Sequence, residues 1–127
     1  MVSSIDKAIK LISSNIGIEL VITQRDKLIR VKSKDIIYIE VADHKLTYHT
    51  QKDKIIDYGS LTNLEKTLKP NNFMRCNACY LVNPKYIDYV EGFFVYMKNG
   101  DALKISRPRK KKFMLDLTEW LGKGNFS

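Results

Sequence analysis

From Ile18 to Ser106 the sequence breaks into about eight short β-prone runs separated by polar turns, and only residues 61–68 keep helical spacing. That cadence of short strands against one internal helix makes this a mainly β domain. Ile18 to Thr23 and Leu28 to Lys32 flank Gln24-Arg25-Asp26-Lys27 and predict a hairpin. Asp35 to Val41 carries β-branched and aromatic residues on both faces, as a strand near a sheet centre does. Ala42 to Lys45 reads as a polar loop, and Leu46 to Thr50 and Ile55 to Tyr58 as strands about a turn at 51–54. Ser60 is placed to cap a helix whose Leu61, Leu64 and Leu68 share a face, with Pro70 ending it. Phe73 to Cys76 and Tyr80 to Val82 are extended, Asn83-Pro84-Lys85-Tyr86 turns the chain, and Ile87 to Glu91 is extended again. Asn99-Gly100, between Phe93 to Lys98 and Ala102 to Ser106, is the strongest hairpin signal. The expectation is a mainly β domain with one short internal helix and a terminal helix.

The terminal helix opens against its own electrostatics. Pro108 suits a first helical turn, and Phe113, Met114, Leu117, Trp120 and Leu121 recur at helical spacing. Yet Arg109, Lys110, Lys111 and Lys112 crowd the positive end of the helix dipole, where each cation costs about 0.3–1 kcal/mol relative to an anion. Free N–H groups beside clustered cations form a site for phosphate. With 22 basic and 14 acidic residues the chain carries 22 − 14 = +8, and residues 104–112 hold six cations and no anion. Such a balance favours DNA, RNA, an acidic protein or an anionic membrane surface; a merely solvated basic face is the plain alternative.

Other chemistries find little support. Cys76-Asn77-Ala78-Cys79 supplies two ligands toward a tetrahedral metal site, with no second pair, and His44 and His49 lie at no finger spacing. Thioredoxin-type chemistry needs a helix after the first cysteine, whereas β-prone residues and Asn83-Pro84 follow, so both thiols read as small, partly buried side chains. No phosphate loop, H-E-x-x-H or G-x-S-x-G occurs, and the carboxylates are scattered singly. No enzyme, metal, cofactor or small-molecule substrate is expected. RNA or single-strand binding would call for aromatic residues on an open sheet face, and no such motif is legible. No apolar run reaches bilayer length and the start lacks the form of a signal peptide, so the chain reads as cytoplasmic with reduced thiols.

The segments in order form a further pattern: Asp35-Ile36-Ile37-Tyr38-Ile39-Glu40, His44-Lys45-Leu46, Leu61-x-x-Leu64-Glu65-x-x-Leu68, Phe73-x-Arg75-x-Asn77-x-Cys79-x-Leu81-Val82-Asn83, Ile87, Asn99-Gly100 and Ile105-Ser106-Arg107. This resembles the LytTR DNA-binding domain over residues 18–122. The resemblance implies an elongated stack of short antiparallel sheets, the output domain of bacterial two-component response regulators, whose loops enter successive grooves of double-stranded DNA. It also implies that groove contacts fall on His44, Asn77 to Cys79 and Arg107. Together with the basic cluster the candidate residues are His44, Lys45, Asn77, Ala78, Cys79, Ser106, Arg107, Arg109, Lys110 and Lys111. Asn77 and Cys79 stand where the family usually has histidine and serine, and Ala78 where relatives often carry a polar residue, which shifts the expected weight to His44 and Arg107. Residues 3–14 form a short amphipathic pattern. With 1–17 they read as a linker or the tail of a preceding receiver domain, and 123–127 as a terminal tail. No heptad seam or large exposed apolar face is legible, so a monomer in solution is expected, and together with the family resemblance the expectation is two copies on a direct-repeat site.

Overall fold

A computed structural model describes residues 18–122; the amphipathic segment at 3–14 and the terminal tail lie outside the described residues. Among the described residues ten strands form three antiparallel sheets, one for each extended segment named from the sequence and so more than the approximate count of eight. β1 (Glu19–Gln24) and β2 (Lys27–Lys32) make a two-stranded ribbon whose turn is only Arg25-Asp26. The main sheet has the order β5-β4-β3-β7-β6, from β3 (Ile36–Ala42), β4 (Lys45–Thr50), β5 (Lys54–Tyr58), β6 (Met74–Asn77) and β7 (Tyr80–Val82). β3 is its central strand, as its two-faced apolar composition requires. β8 (Ile87–Glu91), β9 (Phe94–Met97) and β10 (Ala102–Lys104) form the third sheet, in the order β10-β9-β8.

Both faces of the main sheet are buried. On one side Ile36, Ile39, Leu46, Leu81 and Phe73 pack with Ile22 and Val31 of the ribbon and with Leu61 and Leu68 of α1 (Leu61–Leu68). The other side brings Ile37, Tyr38, Cys76 and Val82 against Val95, Met97, Leu103 and Ile105 of the third sheet and Phe113 and Leu117 of α2 (Arg107–Gly122). Ser60 caps α1, its Oγ accepting from the Asn63 N–H at 3.3 Å. Pro70 falls in the 3₁₀ turn Lys69–Asn71 that ends the helix, and Asn72 takes φ +69°. On α2 the buried stripe runs through Phe113, Leu117 and the half-buried Met114 and Trp120; Leu121, expected to join it, lies on the rim and is exposed.

Polar side chains bridge the layers. Tyr38 donates to the Asp101 carboxylate at 3.0 Å, crossing from the main sheet to the β9–β10 turn. The ring of Tyr38 stacks on His49, which bonds Glu40 at 2.9 Å. Buried Asn83 donates to the Ile36 carbonyl at 2.9 Å and accepts from the Lys85 N–H. Burial pushes the Cys76 thiol from 9.0 up to about 12, and also raises Tyr38 and Tyr48. Above pH 9.0 an unfolded Cys76 therefore loses its proton while the folded one keeps it. The unfolded chain then binds fewer protons, so this contribution is whole below pH 9.0 and declines toward about 12. Urea midpoints should stay level from about pH 7 to 9 and fall steadily above; a level midpoint through pH 11 would contradict these protonation states.

Candidate nucleic-acid interface

A chain of hydrogen bonds joins four turns side by side. The first is the two-residue turn Asp43-His44 between β3 and β4, tighter than the four-residue loop the sequence suggests. Both residues have positive φ, 52° and 65°, as a hairpin turn matched to strand twist requires, and Asp and His tolerate that region better than branched residues. His44 is exposed at the tip, and Lys45 beside it is exposed as well. Its carbonyl accepts from the Gly59 N–H, which brings the exposed Tyr58 at the end of β5 alongside.

The second turn is Ala78-Cys79, held to the end of β3, two residues before the first turn, by the Val41 N–H donating to the Cys79 carbonyl at 2.9 Å. Ala78 and Cys79 are exposed, while Cys76 is fully buried. The two thiols thus occupy opposite environments rather than being alike. Among the described residues no three His, Cys, Asp or Glu side chains gather to hold a metal. Asn77 differs from expectation. Its Oδ1 accepts from the Cys79 N–H at 2.9 Å and its Nδ2 donates to the Lys104 carbonyl at 3.1 Å, so both ends of the amide hold the backbone rather than reach outward. Arg75 completes the brace by donating to the carbonyls of Asn77 and Ala78 at 3.1 and 2.9 Å, and pairs with Glu65 at 2.7 Å. Its charge is spent inside the fold; the sequence shows it only as the arginine of Phe73-x-Arg75-x-Asn77.

The Ser106 N–H donates to the Cys76 carbonyl at 2.9 Å and fixes the third element, the junction of β10 with α2. The Ser106 hydroxyl, a candidate contact from sequence, is buried with no hydrogen-bond partner among the described residues, unlike the exposed Arg107 beside it. Arg107 and Lys111 are exposed on the first turns of α2; Arg109 and Lys110 are half-buried. Lys112 pairs with Asp116 at 3.0 Å.

Gly92-Phe93, between β8 and β9, is the fourth turn, held by the Ile105 N–H donating to the Phe93 carbonyl at 2.7 Å. Gly92 has φ +61°. The Phe93 ring carries the Arg107 guanidinium 5.4 Å from its centroid and the Lys110 ammonium at 4.4 Å, and Lys110 also donates to the Gly92 carbonyl. Such contacts are worth about 0.5–1 kcal/mol at exposed sites. Their larger effect is to hold two long cationic chains at the start of α2. Phe93 was not legible as a site residue, because Phe93 to Lys98 reads as one strand; the Gly92 that makes it a turn residue was the available signal.

The arrangement therefore presents a histidine tip, a small-residue turn and an arginine junction in succession, followed by a basic helix start. Hydrogen-bond donors and cations face outward from turns whose backbones are pinned to one another. If the His44 tip reads a ligand, His44→Ala should weaken specific binding about tenfold while leaving the melting temperature within about 2 °C, since exposed positions contribute little to stability. A large fall in melting temperature would show that the imidazole serves the fold.

Comparison with known proteins identifies the family of the domain. Residues 26–118 match the model of the LytTr DNA-binding domain. The Staphylococcus aureus transcriptional regulatory protein LytR is 30% identical over 106 residues, 80% of this chain and 43% of that protein. The Bacillus cereus sensory transduction protein LytT is 26% identical over 99 residues, 74% of this chain and 40% of that protein. The chain thus spans about two-fifths of the length of these curated relatives. A solved LytTr DNA-binding domain from Bacillus cereus superposes with a TM-score of 0.67 at 24% identity, covering 78% of this chain and 95% of that one.

Proposed function

The chain belongs to the LytTr DNA-binding domain family, and from that premise we propose that residues 18–122 bind double-stranded DNA sequence-specifically, as the output unit of a bacterial response regulator controlling transcription in the cytoplasm. The observation that carries the reading is the succession of exposed turns, His44, Ala78-Cys79 and the Arg107 junction, tied to one another through backbone hydrogen bonds and the Asn77 amide. His44 and Arg107 are the base-reading residues. Arg107 offers the fork that bonds guanine O6 and N7 together. Lys45, Arg109, Lys110 and Lys111 neutralise phosphates, and the small turn at Ala78-Cys79 lets the backbone approach the duplex closely. Asn77 positions that turn instead of reading a base. No catalytic step, metal or cofactor enters this function. Two monomers occupy a direct repeat, one per half-site, with half-sites about two helical turns apart so that both lie on one face.

The test separates base contacts from phosphate contacts. Arg107→Ala should cost about 1–3 kcal/mol on the cognate duplex and relax preference at one base pair. Lys111→Ala should weaken all sequences alike and reduce the salt slope by about one unit. Competition titrations with cognate and scrambled duplexes distinguish the two. Identical behaviour of both variants would refute the assignment of roles.

A further inference from the structure

The outer face of the third sheet bears aromatic rings that neither core uses. Tyr89 and Phe94 are 49% and 42% exposed and Tyr96 is half-buried, while the alternate residues Val95 and Met97 face the core. No sequence motif signals this face, because Tyr89 and Tyr96 lie in different strands, and only their pairing brings them together. The register places Tyr89, Tyr96 and Ala102 in one row across β8, β9 and β10, and Glu91, Phe94 and Lys104 in the next. Tyr89 and Tyr96 stack with centroids 4.5 Å apart and planes 14° apart. The third place in that row holds only the methyl group of the exposed Ala102. The stack is therefore a column of two rings beside a position for a third.

We propose that this face takes an unpaired nucleobase of a single-stranded nucleic acid, stacked on Tyr96 above Ala102, with the strand's phosphate on Lys104. The charges choose this occupant. Glu91 stands at the β8 edge of its row and Lys104 at the β10 edge, next to the Ala102 position, so an anionic backbone is favoured on the side where the column is open. The chain as a whole carries +8, and the same β10 edge leads through Ser106 into the basic start of α2. A second copy of the chain is a poorer occupant, because three partly exposed rings offer on the order of 300 Å², well below the roughly 1,200 Å² of a stable protein interface. Stacking on an open aromatic sheet tolerates any base, since each has a π-face. The site is separate from the groove-reading turns and does not depend on the duplex reading.

Fluorescence anisotropy with a labelled ten-residue oligothymidine, and with an abasic oligomer of equal length as the charge control, tests this on the full chain. The parent chain should bind oligothymidine about tenfold more tightly than the abasic strand. Tyr96→Leu and Ala102→Leu, the second filling the open position from an exposed residue, should each remove that difference. Both should keep duplex binding and melting temperature close to the parent's, so that failure here is distinct from failure of the duplex reading. Equal affinity for the two oligomers in the parent chain would overturn the proposal. So would variants that bind oligothymidine as the parent does. A parent chain that sediments as a dimer, made monomeric by Ala102→Leu, would assign the face to a second copy instead and overturn it equally.

Discussion

Raising salt from about 50 to 200 mM should lower affinity for a cognate duplex about five-hundredfold. Each neutralised phosphate contributes a slope of about −0.9 in log K against log salt. Five cations stand along the proposed contact surface: Lys45, Arg107, Arg109, Lys110 and Lys111. Lys112 adds little, because Asp116 already pairs with it. Arg75 adds none, because Glu65 and two carbonyls hold it within the fold. Fluorescence titrations at four or five salt concentrations give the slope directly. A slope of about −4.5 agrees with the surface described, whereas a nearly flat response would mean that the basic run at the start of α2 is only a solvated face.

Phe113→Ala should produce the largest loss of stability among the substitutions considered, about 3–5 kcal/mol. Its ring is buried in the core between the main sheet and the third sheet, beside Cys76, Val95 and Leu117. Truncation removes the apolar burial and leaves a cavity that these surrounding strands cannot close. For a domain of this size the melting temperature should fall by about 15–25 °C. The consequence reaches function, since Phe113 and Leu117 dock the helix whose first turns carry Arg107 and Lys111. DNA binding should survive at low temperature and vanish well below the parent's melting point. Leu115→Ala, on the exposed side of the same helix, should change stability by less than about 0.5 kcal/mol. Equal losses at 113 and 115 would show that α2 is not docked as described.

The parts of the fold legible in the sequence are those governed by local chemistry. β3 reads as a central strand because a sheet buried on both faces demands apolar residues at every position. Asn99-Gly100 forecasts its hairpin, and Ser60 with Pro70 brackets α1, because capping and turn geometry act within a few residues. The polar roles at the site were less legible. Asn77 offers the same donor and acceptor whether it meets a base or the Lys104 carbonyl, and only the approach of β10 to β6 decides between them. Ser106 looks like an available hydroxyl until the bond from its N–H to Cys76 turns the junction inward. Phe93 reads as one more strand residue until the pairing of Glu91 with Phe94 makes it half of a two-residue turn. Local residue type thus indicates what a side chain can donate, and tertiary pairing decides to whom.

The stacked Tyr89–Tyr96 pair follows the same logic, since strand register alone makes it. The ribbon of β1 and β2 shows the converse. Its exposed Leu28 and Val21 alternate with buried Val31 and Ile22, so the ribbon can cover one face of the main sheet while keeping a wet outer side.

The central claim is that this chain reads duplex sequence through a succession of linked turns. Selection of bound duplexes from a random pool, followed by sequencing, tests it most directly. The account predicts enrichment of a direct repeat with half-sites about two helical turns apart, and loss of preference at one position of each half-site with Arg107→Ala. A pool that remains random at physiological salt, while still binding the chain, would contradict it.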